Sequence, residues 1–161
     1  MSPPLHPDVE ALAFLLGMWS GHGHGEYPTI DAFDYEETVE FSHVGKPFLA
    51  YSQKTRSVVD GKPLHGEAGY LRVPRPGSVE LIVAHPNGIT EIEAGTYALT
   101  GGLIEVELSS TAIGLAPSAK EVTALGRSLR IDGDELSYTL RMGGMGQPLQ
   151  DHLVAVLHRR P

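Results

Sequence analysis

The side chains able to do chemistry here are eight histidines, four methionines and six tyrosines, with no cysteine among 161 residues. The missing thiols exclude disulfides, iron–sulfur clusters, Cys-ligated zinc, thiolate nucleophiles and covalent C-x-x-C-H haem attachment. His, Met and Tyr remain among the side chains that can ligate a metal. No carboxylate couple and no Ser-His-Asp pattern stands out for acid–base or nucleophilic catalysis. His22 and His24, in "GMWSGHGHGEYPTI", are two residues apart. On a strand they share one face, while Trp19, Gly21, Gly23 and Gly25 share the other. An i, i+2 histidine pair can chelate a metal, but no third ligand follows at fixed spacing. The two imidazoles are therefore expected in solvent, on a strand whose glycine face matters more.

His152 lies in "LQDHLVAVL". Simple alternation puts it on one face with Val154 and Val156. A neutral imidazole on such an apolar wall is either a metal ligand or, more often, a core histidine satisfied by a backbone carbonyl. Asp151 points the other way, so the second ring nitrogen is expected to meet a carbonyl or water. His158 shares the alternation but lies six residues on, about 20 Å along a strand, too far to share one metal ion with His152.

These residues need a scaffold, and the pattern supplies one. Val9, Leu12, Ala13 and Leu16 recur at helical spacing after Pro7 and Asp8, and Gly17 can end that helix, so a short amphipathic helix is expected over 7–16. From there the period is two. Strands are expected near 19–26, 34–43, 47–56, 64–73, 78–85, 88–98, 103–110, 121–131, 135–143 and 149–158. "VGKP", "VDGKP", "PRPG", "HPNG", "LTGG" and "DGDE" punctuate them, and "NG" and "DG" between alternating runs mark hairpins. Val79, Leu81, Val83 and His85 share a face opposite Glu80. Leu136, Tyr138, Leu140 and Met142 oppose Ser137, Thr139 and Arg141. Ile104, Val106 and Leu108 oppose Glu105 and Glu107. Short strands with short turns give a sandwich or a meander, and closing the meander removes its edges. The expectation is an all-β, ten-stranded antiparallel up-and-down barrel over about 18–159, like the lipocalins and fatty-acid-binding proteins. Such a barrel has more interior than side chains easily fill, hence a ligand cavity. Leu149, Leu153 and Leu157 are expected on the outer face of the last strand, covered by the helix or by a second copy in a homodimer.

Bulk properties bound the rest. The length suits one domain, 1–161, and 41% hydrophobic with 20% charged residues is ordinary for a globular chain. The net charge of -8 and the scattered Lys and Arg argue against nucleic acid and against an anionic membrane surface. "MSPPLHPDVEALAFLLG" lacks a basic n-region and a cleavage site, and no apolar run approaches the roughly 20 residues of a membrane span. Cytoplasm is the expected compartment.

"GMWSGHG" fits G-x-W-x-G-x-G through Gly17, Trp19, Gly21 and Gly23. Together with "FDYEETVEFSHVGKPFLAYSQKTR", "GKPLHGEAGYLRV", "VELIVAHPNGITEIEAGTY" and "QPLQDHLVAVLHR", it makes nearly the whole chain resemble the nitrobindin family of ferric-haem β-barrels. The resemblance implies one haem b per chain, held by a single histidine of the final strand, His152. It makes His22 a variable position of the motif, with His24 just beyond it, and neither an iron ligand. It places Leu64, His65, His85 and Met142 at the haem pocket, with the orientation of the two histidines left open. It puts Thr29 near the haem edge, and Lys120 and Arg127 as candidates for propionate contacts. The implied activity is reversible binding of nitric oxide and isomerisation of peroxynitrite to nitrate at an open iron position, by Lewis-acid catalysis. A haem-free carrier of a small apolar ligand is the alternative, and a purely structural barrel is a third.

Overall fold

A computed structural model describes all 161 residues. Its strands are β1 (Gly17–Tyr27), β2 (Ile30–Ser42), β3 (Leu49–Ser57), β4 (Pro63–Arg72), β5 (Ser78–His85), β6 (Ile89–Thr100), β7 (Leu103–Leu115), β8 (Ala124–Asp132), β9 (Glu135–Gly144) and β10 (Gln147–Arg159). Each pairs antiparallel with the next, and β1 pairs with β10, so the ten strands close into a barrel. All ten expected runs are strands, and 78–85 agrees residue for residue. The "DG" turn behaves as expected: Gly133 takes φ +59°, a conformation that side chains disfavour, between β8 and β9.

The N-terminal helix is a 3-10 helix over Pro7–Leu15. At three residues per turn, Val9, Leu12 and Leu15 fall on one line, and those three are buried. The reading by α-helical spacing, with Ala13 and Leu16 on the inner face, is corrected on this point. The helix plugs one end of the barrel, packing with Trp19, Val39, Phe41, Leu49 and Leu71 in the main core. Trp19 Nε1 donates to the Leu15 carbonyl at 2.8 Å. The Arg159 guanidinium lies 4.2 Å over the Trp19 ring and donates to the Leu16 and Phe14 carbonyls. The last residues of β10 thus cap the helix and lock the first motif at the closed end.

The faces expected from alternation are found in β1, β5, β9 and the Ile104–Leu108 part of β7, and are not found in β10. Asp151 pairs with Arg141 and Leu153 with Leu140, so His152 is an extra residue without an opposite number. This β-bulge shifts the phase. Leu153, Ala155 and Leu157 face inward with His152, and Leu157 is fully buried. Val154 and Val156 are each 44% exposed on the outside, and His158 is exposed with them. The expected face of His152, Val154 and Val156 is therefore wrong. So is the outer stripe of Leu149, Leu153 and Leu157: only Leu149 is outside, and the reason for covering it with the helix or a second copy falls away. No helix is long and apolar enough to cross a membrane.

Candidate functional site

Opposite the helical plug, the barrel opens into a cavity of about 490 Å³, within the range of small-molecule sites. Every second connection contributes to its rim. Ile30 follows the β1–β2 turn, Leu64 starts β4, Asn87 sits in the β5–β6 turn, Lys120 in the β7–β8 connection and Met145 in the β9–β10 turn. The wall below is apolar at Phe33, Ile89, Val122, Leu125, Leu140 and Met142, and polar where β3, β4 and β5 contribute Gln53, Thr55, His65, Glu67 and His85.

His152 reaches this cavity because of the bulge. Its Nδ1 is 2.8 Å from the Glu26 carbonyl oxygen on β1. A carbonyl only accepts, so Nδ1 carries the proton and Nε2 keeps its lone pair. Tyr27 packs edge-on against the ring at 5.2 Å and is itself held by bonds from its hydroxyl to the Met142 and Gly144 carbonyls, each 3.3 Å. Burial lowers the pKa of His152, outweighing the Glu26 bond, so the imidazole is neutral at physiological pH. A fixed, neutral imidazole with an unpartnered Nε2 in an apolar-walled cavity is the donor a haem iron requires. The residues present fit the group.

Leu64, His65, His85, Met142 and Lys120 all line the same cavity as His152. The orientation left open for the two histidines is inward: His65 Nε2 lies 2.9 Å from His85 Nδ1, and His85 Nε2 lies 2.8 Å from Glu91 Oε1. Thr29 is exposed in the β1–β2 turn and is not in the wall, where its neighbour Ile30 is. Arg127 is not at the mouth. It points into the barrel from mid-β8 and is 8% exposed. Its guanidinium donates to Glu93 at 2.8 Å, to Glu67 at 3.1 Å and to Glu91. Three carboxylates occupy the fork, so Arg127 is corrected from propionate contact to the centre of a buried ion cluster. His22 and His24 are outside; His24 is raised in pKa by Asp34 at 2.7 Å and Glu26 at 2.9 Å.

The glycine face points inward as expected, and its glycines serve close approaches. A Cβ at Gly21 would strike the backbone of Val156 and Leu157 on β10. At Gly23 it would strike the ring of Tyr35, which lies over the strand there.

The ion cluster itself was not anticipated. Glu37, Gln53, Glu67, Glu91, Glu93 and Arg127 are buried in the barrel's interior, beneath the cavity. Tyr138 donates to Glu37 at 2.7 Å and Tyr51 to Glu67 at 2.9 Å, while Tyr35 and Tyr138 hydroxyls are 2.9 Å apart. Burial pushes Glu37 up to about 7. Burial, helped by the nearby Glu91 charge, does the same to Glu93. Burial opposes ionisation of Glu67 too, but Arg127 and the two histidines hold it well below the usual carboxylate range. The available signal was acidic residues in phase with apolar ones: Tyr35, Glu37, Val39 and Phe41 on β2, and Ile89, Glu91 and Glu93 on β6.

A closed ten-stranded antiparallel barrel with a histidine-bearing cavity at one end defines the class. A profile of the THAP4-like, heme-binding beta-barrel domain matches residues 8–159. The chain belongs to that family, and its resemblance to nitrobindins is borne out. Among similar proteins, Peroxynitrite isomerase 1 of Mycolicibacterium paratuberculosis is 71% identical over 160 residues, covering 99% of both chains. Peroxynitrite isomerase 2 of Mycobacterium avium is 70% identical with the same coverage. The crystal structure of Rv2717c from M. tuberculosis superposes with a TM-score of 0.96 at 67% identity, covering 98% of this chain and all of that one.

Proposed function

We propose that this chain is a haem-dependent peroxynitrite isomerase that also binds nitric oxide, carrying one haem b on His152. The observation that carries the reading is His152 itself: on a bulge, its proton fixed by the Glu26 carbonyl and its Nε2 bare in the cavity. Family membership and relatives named for this activity support it.

When bound, ferric haem supplies a Lewis acid with one position free for a small ligand. The chain's own groups do the remaining work. His152 Nε2 would hold the metal, and the Glu26 bond keeps the ring from turning its protonated nitrogen inward. Ile89, Val122, Leu125, Leu140 and Met142 keep water from the reacting atoms. Lys120 at the rim draws in the anionic substrate and offers a partner for a propionate. Peroxynitrite and nitrate have the same atoms and charge, so no side chain has to add or remove a proton.

The test is a haemin titration followed by stopped-flow decay of peroxynitrite. His152→Ala should fold, bind haemin weakly with an altered Soret band, and lose the catalysed decay. A wild-type spectrum and rate in the variant would move the ligand to His65 or His85. A wild type that ignores haemin while taking up an apolar dye would make the barrel a carrier instead.

A further inference from the structure

His65, Glu67 and His85 form a cluster in the wall of the cavity whose donor atoms are not needed to hold an iron on His152. His65 and Glu67 are two residues apart on β4, so they share its inner face, and His85 ends the neighbouring strand β5. His65 Nε2 and His85 Nδ1 are 2.9 Å apart. Glu67 Oε2 is 3.7 Å from the first and 3.6 Å from the second. Metal–ligand bonds of about 2.0–2.1 Å at tetrahedral angles put donor atoms about 3.4 Å apart. The triangle brackets that spacing, and only the histidine edge must open by about 0.5 Å.

The surroundings point all three donors at one spot. His85 Nε2 donates to the Glu91 carboxylate at 2.8 Å, which leaves the Nδ1 lone pair aimed at the cluster. A carboxylate holding a ligand histidine by its other nitrogen is the usual support of a metal site. Glu67 Oε1 accepts from Tyr51 at 2.9 Å and from Arg127 at 3.1 Å, so that oxygen is engaged and Oε2 is the one turned toward the histidines. The charge balance agrees. Glu37, Glu67, Glu91 and Glu93 are buried, and Arg127 is the only buried cation. Glu91 Oε2 and Glu93 Oε1 have no hydrogen-bond partner. Burial favours the protonated acids at Glu37 and Glu93, while Glu67 and Glu91 are held as carboxylates against one Arg127, so one negative charge is left for a cation at the triangle to meet.

We propose that His65, Glu67 and His85 bind a divalent transition-metal ion of the zinc, cobalt or ferrous class in the wall of the cavity. Two imidazoles and one carboxylate select such ions over calcium and magnesium. The remaining coordination position faces the cavity, open to water or an anionic oxygen. On binding, the His65 proton moves from Nε2, where it bridges to His85 Nδ1, to Nδ1 of the same ring by exchange with water, so the neutral imidazole offers its Nε2 lone pair to the ion. The inference stands apart from the haem reading, because its ligands do not include His152.

The experiment is a titration of the tag-free, haem-free full chain with Co²⁺, read by visible d–d absorption, and with Zn²⁺, read by calorimetry. One equivalent of each should bind, with the intense cobalt bands of a four- or five-coordinate site. His65→Gln and His85→Gln should each weaken binding at least about tenfold and lose those bands, with circular dichroism showing an intact barrel. His65 is at the cavity surface and is the variant safest for folding. A double His22→Gln and His24→Gln variant should titrate as wild type. No binding by the wild type, unchanged binding in both the His65 and His85 variants, or loss of binding in the His22/His24 double variant would overturn the site. Haemin binding by His152→Ala plays no part in this readout, so the two proposals fail separately.

Discussion

Burial keeps the His152 imidazole neutral, and the Glu26 carbonyl at 2.8 Å keeps its proton on Nδ1. The first leaves Nε2 without a proton and the second fixes the proton on Nδ1, and both come from neighbours more than a hundred residues away or from the cavity wall. The exposed histidines have no such setting. His22 has 73% of its side chain in solvent, and His24 sits between two surface carboxylates. Replacing both with Gln therefore leaves the cavity untouched. Haemin affinity should stay within about threefold, well under the 1.4 kcal/mol that a tenfold change represents. A folded double variant unable to take up haemin in the same titration would contradict the assignment.

At the scale of elements, β1 shows how one face of a strand is written for its neighbours. Trp19 fills the closed end, and beyond it the inward positions are glycines. At Gly21 the obstacle to a side chain is the β10 backbone, which cannot move without breaking the β1–β10 ladder. At Gly23 the obstacle is the Tyr35 ring, which can rotate at the expense of its bond to Tyr138. Gly21→Val should therefore cost more than Gly23→Val. We expect about 3 kcal/mol or outright failure to fold for the first, and about 1–3 kcal/mol for the second. Urea denaturation measures both, and equal stability of the two variants and wild type would refute the steric account. The bulge in β10 is the complementary device: one extra residue turns His152 inward without disturbing the seal made by Leu153, Ala155 and Leu157.

For the whole molecule, the cluster of four buried carboxylates around Arg127 makes stability depend on pH. Glu37 has an ordinary value of 4.5, raised to about 7 in the folded chain by burial. A raised folded value means that the folded chain holds this proton more tightly than the unfolded chain does. The stabilisation is present in full below about 4.5 and is lost as pH rises through about 7. Glu37→Gln removes the titration while keeping an oxygen for the Tyr138 hydroxyl. Its new amide can also donate to Gln53 Oε1, which has no partner, once the Gln53 amide turns over. Relative to Glu37→Gln, the wild type should lose about 1–3 kcal/mol between about pH 5 and about pH 8. Thermal melts of both proteins across that range check it, and a constant difference would remove Glu37 from the account.

The sequence by itself determined whatever depends on neighbours along the chain. Alternation placed Val79, Leu81, Val83 and His85 on the inner face of one strand and Leu136 and Leu140 on that of another, because successive side chains of a strand point to opposite sides. Turn residues such as Gly133 ended the strands where they end, because only certain residues accept the backbone angles of a tight turn. The G-x-W-x-G-x-G motif marked β1 and its special face. Tertiary structure alone decided what depends on register between strands. A bulge is an inequality between two paired strands, so β10 read singly gave His152 the companions Val154 and Val156 instead of Leu153 and Ala155. Arg127 looked available for a propionate until Glu67, Glu91 and Glu93, from two other strands, were found to occupy its guanidinium. His65 and His85 became a pair only because β4 and β5 lie side by side with Glu67 between their rings and Arg127. Distances of a few ångströms between groups far apart in the chain are set by how the barrel closes, and no local pattern encodes them.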